Sequence, residues 1–511
     1  MSSRKFTFFL IVLALLGMID AGYLTYEHFS YATPPCTTSI FIDCGKVLRS
    51  SYSEVFGIPL ALLGLIYYTT ITGLLLLIIK VNKQLQKFGV LMLSSFGFLF
   101  SAYLVYLQLI VIGSICLYCM SSAIISTSIF IIAQIAFVNE RKKTAIYLTA
   151  FFYKKILRNL LFTIDSEKIH DSAIALGFSL GKSKIAKETL DYLYNFKSPR
   201  LEKKVAGIEF KNPIGLAAGF DYDANLTQIL PSLGFGFATI GTFTNLPYEG
   251  NPKPRLGRLI KSRSLLVNKG FKGEGVDKIV EKLKGVNFEI PIGISVGRSN
   301  SPKLKTQKDS VADIVTAFKK FESPPSGGKI KNAYYELNIS CPNLIHGCNI
   351  SFYQPKSLEG LLKEIDKLKL NKPLFIKMPI EKSEKATLTM LKVIAKHSPV
   401  GVIFGNLQKD KKHQTLNQDE VNKFKMGFYS GKPTYEQSNK LIELTYKNFR
   451  DRFIIIGCGG IFSAEDALKK LSLGASLVQL ITGLIYEGPQ LIGQLNSRLS
   501  NNPTLTTYKS S

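Results

Sequence analysis

The sequence is short of acidic residues, of cysteines and, beyond its first third, of long apolar runs. Across 511 residues it sets 37 Asp and Glu against 64 Lys and Arg, a formal charge of +27. An excess of that size raises nucleic acid as a partner, but the lysines are scattered and no arginine-rich stripe is present. The same excess suits a protein held against an anionic membrane face, so lipid rather than nucleic acid is the expected partner. The charge is unevenly spread: residues 1–145 hold 10 cations against 5 anions, and the remainder 54 against 32. Only seven cysteines occur. Cys36, Cys44, Cys116 and Cys119 lie in the apolar third, Cys341, Cys348 and Cys458 beyond it, and no shared spacing links the two sets. That division points to two redox environments.

Four apolar segments, Phe6–Tyr23, Gly57–Ile79, Phe88–Ile112 and Cys116–Phe137, are long enough to cross a hydrocarbon core of about 30 Å. No small-residue cleavage site follows the first, and three more spans do, which argues against a cleaved signal peptide. Arg4 and Lys5 precede the first span, Lys80, Lys83 and Lys87 join the second to the third, and Arg141, Lys142 and Lys143 follow the fourth. In the 24–56 loop Lys46 and Arg49 are offset by Glu27, Asp43 and Glu54. The positive-inside rule then puts both ends in the cytoplasm and the 24–56 loop outside. All four cysteines of this part fall on the outer, oxidising side. Cys116-Leu-Tyr-Cys119 opens a helix there, and one helical turn brings two sulfurs close enough to cycle between dithiol and disulfide. Cys36 and Cys44 can relay electrons to them by thiol–disulfide exchange. Eight-residue spacing beside a lipid-flanked pair suits a tetrahedral zinc site poorly, so no metal is expected. Two structural disulfides are the plainer alternative.

Several stretches here carry a resemblance: Y-L-T-Y, then Cys36…Cys44-G-K-V-L-R-S-S, F-G-I-P-L-A-L-L-G, and G-S-I-C-L-Y-C. Over residues 6–138 the chain resembles the bacterial vitamin K epoxide reductase family. The resemblance implies a four-helix bundle that takes electrons from a periplasmic thioredoxin-like thiol oxidase through Cys36 and Cys44. Cys116 and Cys119 would pass them to a membrane quinone, with Ser50 near the quinone head. No thioredoxin-like stretch is fused to the bundle, so the dithiol partner would be a separate protein.

Residues 147–162, Y-L-T-A-F-F-Y-K-K-I-L-R-N-L-L-F, place apolar side chains at helical spacing with Lys154, Lys155 and Arg158 between them, as in a membrane-surface helix. Asp165 or Ser166 can cap a second helix. From Ile208 the pattern changes to short apolar strands followed by helical stretches. Strands are expected at Ile214–Ala217, Ala238–Gly241, Ile292–Val296, Tyr335–Ile339, Leu374–Lys377, Val402–Phe404, Phe453–Gly457 and Leu477–Leu480. Eight such units in about 300 residues suit an α/β barrel of eight parallel strands, a (β/α)8 TIM barrel, with a doubly wound sheet as the alternative. Tyr334–Asn343, Y-Y-E-L-N-I-S-C-P-N, delivers Asn338, Cys341 and Asn343 at one strand end. Lys377 ends strand five and Asn406 follows strand six. Gly457-Cys-Gly459-Gly460 after strand seven and Thr482 after strand eight match the usual phosphate position of such barrels.

This part resembles dihydroorotate dehydrogenase, in its membrane-associated, quinone-dependent class 2, over residues 147–497. The motifs are N-P-I-G-L-A-A-G-F-D, E-G-N-P-K-P-R-L-G-R-L, N-I-S-C-P-N, S-G-K-P and I-G-C-G-G-I…G-A-S-L-V-Q-L. The resemblance implies FMN as cofactor, held by Ala218, Gly219, Thr242, Lys377, Gly431, Gly459, Gly460, Ile481 and Thr482. Asn268, Asn338, Asn343 and Asn406 would hold dihydroorotate, Cys341 would act as base, and His170 and Arg258 would line a quinone tunnel. Class 2 has a serine where Cys341 stands and a lysine where Tyr222 stands; Ser295 replaces a flavin-site asparagine and Ile481 a tunnel tyrosine. The expected organisation is a transmembrane domain over 1–143, a helical extension over 144–200 and the barrel over 201–511. The expected setting is the inner membrane, with the barrel on its cytoplasmic face. A related flavoenzyme with another substrate, or a non-catalytic barrel, are the alternatives.

Overall fold

The computed structural model describes residues 3–30, 36, 41–81, 84–325, 327–345 and 350–502; Lys83 and Cys348, named above, lie outside the described residues. The chain divides into two compact units, Met1–Thr144 and Ala145–Ser511.

In the first unit four helices carry the apolar runs: α1 (Ser3–Ser30), α2 (Leu60–Val81), α3 (Gln84–Tyr106) and α4 (Leu117–Ala136). Each contributes a stretch long and apolar enough to cross a membrane. The packed interior holds Leu10, Ala14, Ala21, Tyr68, Ile71, Leu75, Ile129 and Ala133. Phe8, Leu16, Ile19, Ile66, Phe96 and Ile131 face outward, so these helices are apolar all round, as helices in lipid are. Gly17 is needed for close packing, because a Cβ there would collide with the Tyr68 ring. α1 runs past its apolar stretch to Ser30. Its polar last turns find local partners, with Thr25 Oγ1 donating to the Ala21 carbonyl and His28 lying 3.1 Å from Glu54.

Helical pieces lead along the chain into the barrel: α5 (Val138–Phe152), whose residues fall on both sides of the boundary at Thr144, a wider turn at Tyr153–Leu157, α6 (Arg158–Thr163), α7 (Ser166–Lys182) and α8 (Lys184–Tyr194). Asp165 caps α7, accepting from the N–H groups of Glu167 and Lys168. Phe151, Phe152, Ile156, Leu157 and Leu160 are exposed, an apolar surface suited to a lipid interface. Tyr153 Oη donates to the Ile485 carbonyl at 2.7 Å and Arg158 to that of Tyr486 at 3.1 Å.

Eight parallel strands then close on themselves: β1 (Ile214–Leu216), β2 (Phe237–Phe243), β3 (Ile292–Val296), β4 (Tyr334–Asn338), β5 (Leu374–Met378), β6 (Gly401–Phe404), β7 (Ile454–Cys458) and β8 (Leu477–Leu480). Each strand pairs with its chain neighbours and β8 returns to β1, with Val478 opposite Ile214. Closure excludes the doubly wound sheet. The strands are buried on both faces and therefore read as nearly unbroken apolar runs. Phe237, Tyr334, Phe375, Ile403, Ile456 and Leu477 fill the lower barrel, and Phe210 from a hairpin packs edge-on against Phe237. With the floor plugged, chemistry is confined to the C-terminal mouth. A three-stranded antiparallel sheet of Leu256–Leu259, Ser264–Val267 and Phe428–Tyr429 adds further side chains to the site.

Candidate active site

One line of hydrogen bonds crosses the mouth. Asn406 Nδ2 donates to Ser340 Oγ at 2.5 Å, and Ser340 Oγ donates to Asn338 Oδ1 at 2.9 Å. Asn338 Nδ2 donates in turn to Thr242 Oγ1 at 2.9 Å. Ser295 Oγ lies 2.8 Å from Thr242 Oγ1 and donates to Glu336 Oε1 at 2.6 Å. Because the single Ser295 proton goes to the carboxylate, the Thr242 hydroxyl must donate to Ser295. The line therefore has one direction, and each bond polarises the next. It ends on Glu336, which is fully buried, leaves Oε2 without a hydrogen-bond partner, and sits 3.8 Å from Lys377 Nζ. Lys377 thus has a counter-charge behind it and the cavity in front.

A second set of amides holds the loops. Asn251 Nδ2 donates to Asn268 Oδ1 and to the Asn343 carbonyl, both at 3.0 Å, and Asn343 Nδ2 donates to the Val267 carbonyl at 3.0 Å. Cys341 lies between these sets and borders the cavity. Burial pushes its thiol up to about 11, against the Asn343 backbone N–H and the charges of Arg298, Lys409 and Lys377, which pull it down. The reference value of a free thiol therefore understates how firmly this one holds its proton.

At the opposite end Gly431, Gly459 and Gly460 have φ of +82°, +97° and +72°, a region glycine enters freely. A Cβ on Gly431 would stand 2.8 Å from the Thr482 methyl, and one on Gly459 2.5 Å from Thr434 Oγ1. Thr482 Oγ1 shares a hydrogen bond with Ser430 Oγ at 2.8 Å. Small residues and hydroxyls at these strand ends leave the room and the donors that an FMN phosphate needs, so the residues present fit the cofactor. Ala218, Gly219 and Ile481 border the same space.

Thr242, Asn338, Cys341, Asn343, Lys377 and Asn406, with Gly431, Gly459, Gly460 and Thr482, line one cavity of about 740 Å³. It continues to His170 and Arg258 and to the apolar side chains of α6 and α7, among them Leu161, Ala173 and Leu176. His170 is buried with Nε2 unpartnered, and burial, with Lys269 and Lys272 adding to it, lowers its imidazole to about 3, so the ring is neutral. Tyr222 stacks on it at 5.4 Å and donates its hydroxyl to Asp171 at 2.8 Å. Arg258 donates to the Ile164 carbonyl at 2.6 Å and lies over the Phe162 ring. Of the barrel residues expected to hold cofactor or substrate, Asn268 does not border the cavity, its side chain being buried against Asn251; Ser295 and Gly457 also lie outside the lining. Asn251, Glu336, Lys269 and Ser430 were not singled out. Asn251, Glu336 and Ser430 sit inside motifs quoted above, and Lys269 directly adjoins Asn268.

The first unit holds its own constellation. Cys36 and Cys44 form a disulfide with Cα atoms 5.8 Å apart. Cys116 caps α4, its Sγ accepting from the Cys119 N–H at 3.4 Å, and its own N–H donates to Gln108 Oε1 at 2.8 Å. Both Cys116 and Cys119 are free thiols. Backbone bonds from Asp43 to Ile115 and from Ile115 to Phe41 sew the cysteine loop beside them, and Cys36, Cys44, Cys116 and Val47 form one buried cluster. Ser50, one turn further on, is half-buried with its hydroxyl on the Val47 carbonyl at 2.8 Å.

The dihydroorotate dehydrogenase family model matches residues 200–502, and the vitamin K epoxide reductase family model matches residues 8–134. A dihydroorotate dehydrogenase (quinone) of Christiangramia forsetii is 35% identical over 352 residues, covering 68% of this chain and 98% of its own length. That of Chloroflexus aurantiacus is 32% identical over 360 residues, covering 68% of this chain and 96% of its own. A crystal structure of the Eimeria tenella DHODH in complex with ferulenol shares the fold at a TM-score of 0.56 and 24% identity, over 66% of this chain and 93% of that one. A barrel whose mouth gathers Asn338, Cys341, Asn343, Lys377 and Asn406, and whose sequence is matched at this level, places the chain in the dihydroorotate dehydrogenase family, with a vitamin K epoxide reductase domain ahead of the barrel.

Proposed function

We propose that the barrel oxidises dihydroorotate to orotate and delivers the electrons to membrane quinone, and that the first unit separately couples thiol oxidation to quinone reduction. The observation that carries the first half is the single cavity running from Cys341 and the asparagines to His170 and Arg258. Bound FMN would supply the hydride acceptor and the electron donor to quinone. Asn338, Asn343 and Asn406 orient the substrate ring through amides already fixed by their neighbours, so little ordering remains at binding. Cys341, as thiolate, takes the C5 proton while the hydride leaves C6. Lys377 faces the charge that develops on the cofactor and keeps its place through Glu336. Neutral His170 and Arg258 face the acceptor end, beside helices whose exposed apolar faces suit a lipid surface.

In the first unit a separate periplasmic thioredoxin-like protein would give two electrons and two protons to the Cys36–Cys44 disulfide. Exchange passes them to a Cys116–Cys119 disulfide, and those two thiols reduce quinone to quinol near Ser50. The buried cysteine cluster supports this relay over two inert crosslinks. By the positive-inside rule the cysteines lie on the outer face of the inner membrane and the barrel on the cytoplasmic face. Both halves donate to quinone, so neither is a sink for the other. Cys116→Ser should abolish thiol oxidation while leaving dihydroorotate-driven quinone reduction intact, and Cys341→Ala should do the reverse. Loss of both activities in either folded, flavin-loaded variant would contradict two independent donors.

A further inference from the structure

Dihydroorotate and orotate are carboxylates, and a carboxylate taken out of water needs a cation or a dense set of donors. Four cationic side chains border the cavity: Arg258, Lys269, Lys272 and Lys377. Three are committed. Arg258 is held by the Ile164 carbonyl and the Phe162 ring. Lys272 pairs with Glu167 at 3.5 Å, and Lys377 with Glu336 at 3.8 Å.

Lys269 is different. It is only 8% exposed, its Nζ has no hydrogen-bond partner among the described residues, and it rests 4.0 Å from the centre of the Tyr222 ring. A π face contributes little to an ammonium compared with an anion. The backbone ties the loop of Lys269 to the substrate end, while the ammonium itself lies against Tyr222, whose ring stacks on His170. Lys269 follows Asn268, and its carbonyl accepts from the Asn251 N–H at 3.3 Å, the same Asn251 whose amide holds the Asn343 carbonyl. One residue on, the Gly270 carbonyl accepts from Asn300 Nδ2 at 3.0 Å, while Asn300 Oδ1 accepts from the Ile345 N–H at 2.6 Å. Two asparagines thus join the loop of Lys269 to the loop of Cys341 and Asn343.

We propose that Lys269 is the cation that binds the substrate carboxylate, supplying from the 268–272 loop the positive charge that Tyr222 does not carry. This rests on the barrel being a dihydroorotate dehydrogenase. The surroundings make the interaction pH-dependent. Burial lowers the Lys269 ammonium to about 7; Asp171, Glu167 and Asp223 oppose that shift and Lys272 adds to it. His170 and Tyr222 are the other titratable groups against it, and both are neutral near pH 7. Only the protonated form attracts a carboxylate, so affinity is full below about pH 7 and falls as pH rises, by up to ~10-fold per unit.

The test is calorimetric titration of the full-length, FMN-loaded protein with orotate at pH 6 and pH 8.5 in buffers of different ionisation heat. The wild type should bind at least ~10-fold more weakly at pH 8.5, with proton uptake on binding visible as buffer-dependent heat. Lys269→Met should lose at least ~10-fold at pH 6 and show no pH dependence, and Lys269→Arg should restore affinity at both pH values. Wild-type affinity in the Met variant overturns the proposal, as does orotate binding by the wild type without proton uptake, which needs no variant to fold. A wild-type protein that holds flavin yet neither binds orotate nor is bleached by dihydroorotate overturns the barrel's assignment, and this proposal with it.

Discussion

If Cys341 is the base, it should set the pH dependence of the first half-reaction. A free thiol titrates near 8.5, but burial carries this one to about 11. At pH 8 the thiolate is therefore ~10⁻³ of the total, from three units at tenfold each. If proton removal from C5 needs the thiolate, flavin reduction should accelerate ~10-fold per pH unit between pH 7 and 10. The sign is fixed: a raised thiol pKa means activity gained as pH rises. Substrate affinity, if Lys269 holds the carboxylate, runs the other way, so the limiting rate and the half-saturating concentration should climb together. The assay is anaerobic stopped-flow bleaching of flavin absorbance at saturating dihydroorotate. Cys341→Ala should be slower by at least ~10²-fold with its flavin retained, and its residual rate should be flat in pH. A pH-independent wild-type rate, or near-normal reduction in the alanine variant, would refute Cys341 as the base.

Deletion of residues 147–170 should abolish quinone reduction yet leave dihydroorotate-driven bleaching, and quinone turnover that survives the deletion would contradict an acceptor site at His170 and Arg258. Lys377→Met should slow flavin reduction by ~10²-fold or more and lower the flavin's reduction potential, because a buried charge beside Glu336 is lost; an unchanged potential would show that Lys377 does not face the cofactor. Gly459→Val should cost FMN retention in gel filtration, since its first added carbon already meets Thr434; full flavin content would move the phosphate elsewhere.

The barrel was legible because its strands are buried on both faces and end in glycine or polar residues; β3 and β8 fall on their expected limits, and the limits of the others shift by one or two residues. β2 extends furthest, to Phe243, with its register against β3 shifting between Ile240 and Phe243, and Thr242 in that irregular stretch reaches Ser295 and Asn338. Long-range hydrogen bonds were not legible. Asn251 joins partners 17 and 92 residues away, and Glu336 gains its meaning from Ser295, 41 residues upstream, and from Lys377. Tyr222 shows as a substitution in the sequence, but that Lys269 rests on its ring depends on how two loops fold together. The Cys341 thiol illustrates the same limit: residue type gives the reference pKa, and burial decides the actual one.

The most direct measurement is the visible spectrum of the detergent-purified full chain, recorded anaerobically before and after dihydroorotate and again after quinone. The account predicts flavin absorbance that bleaches with dihydroorotate and returns with quinone. Absence of flavin, or flavin that dihydroorotate leaves oxidised, would contradict it.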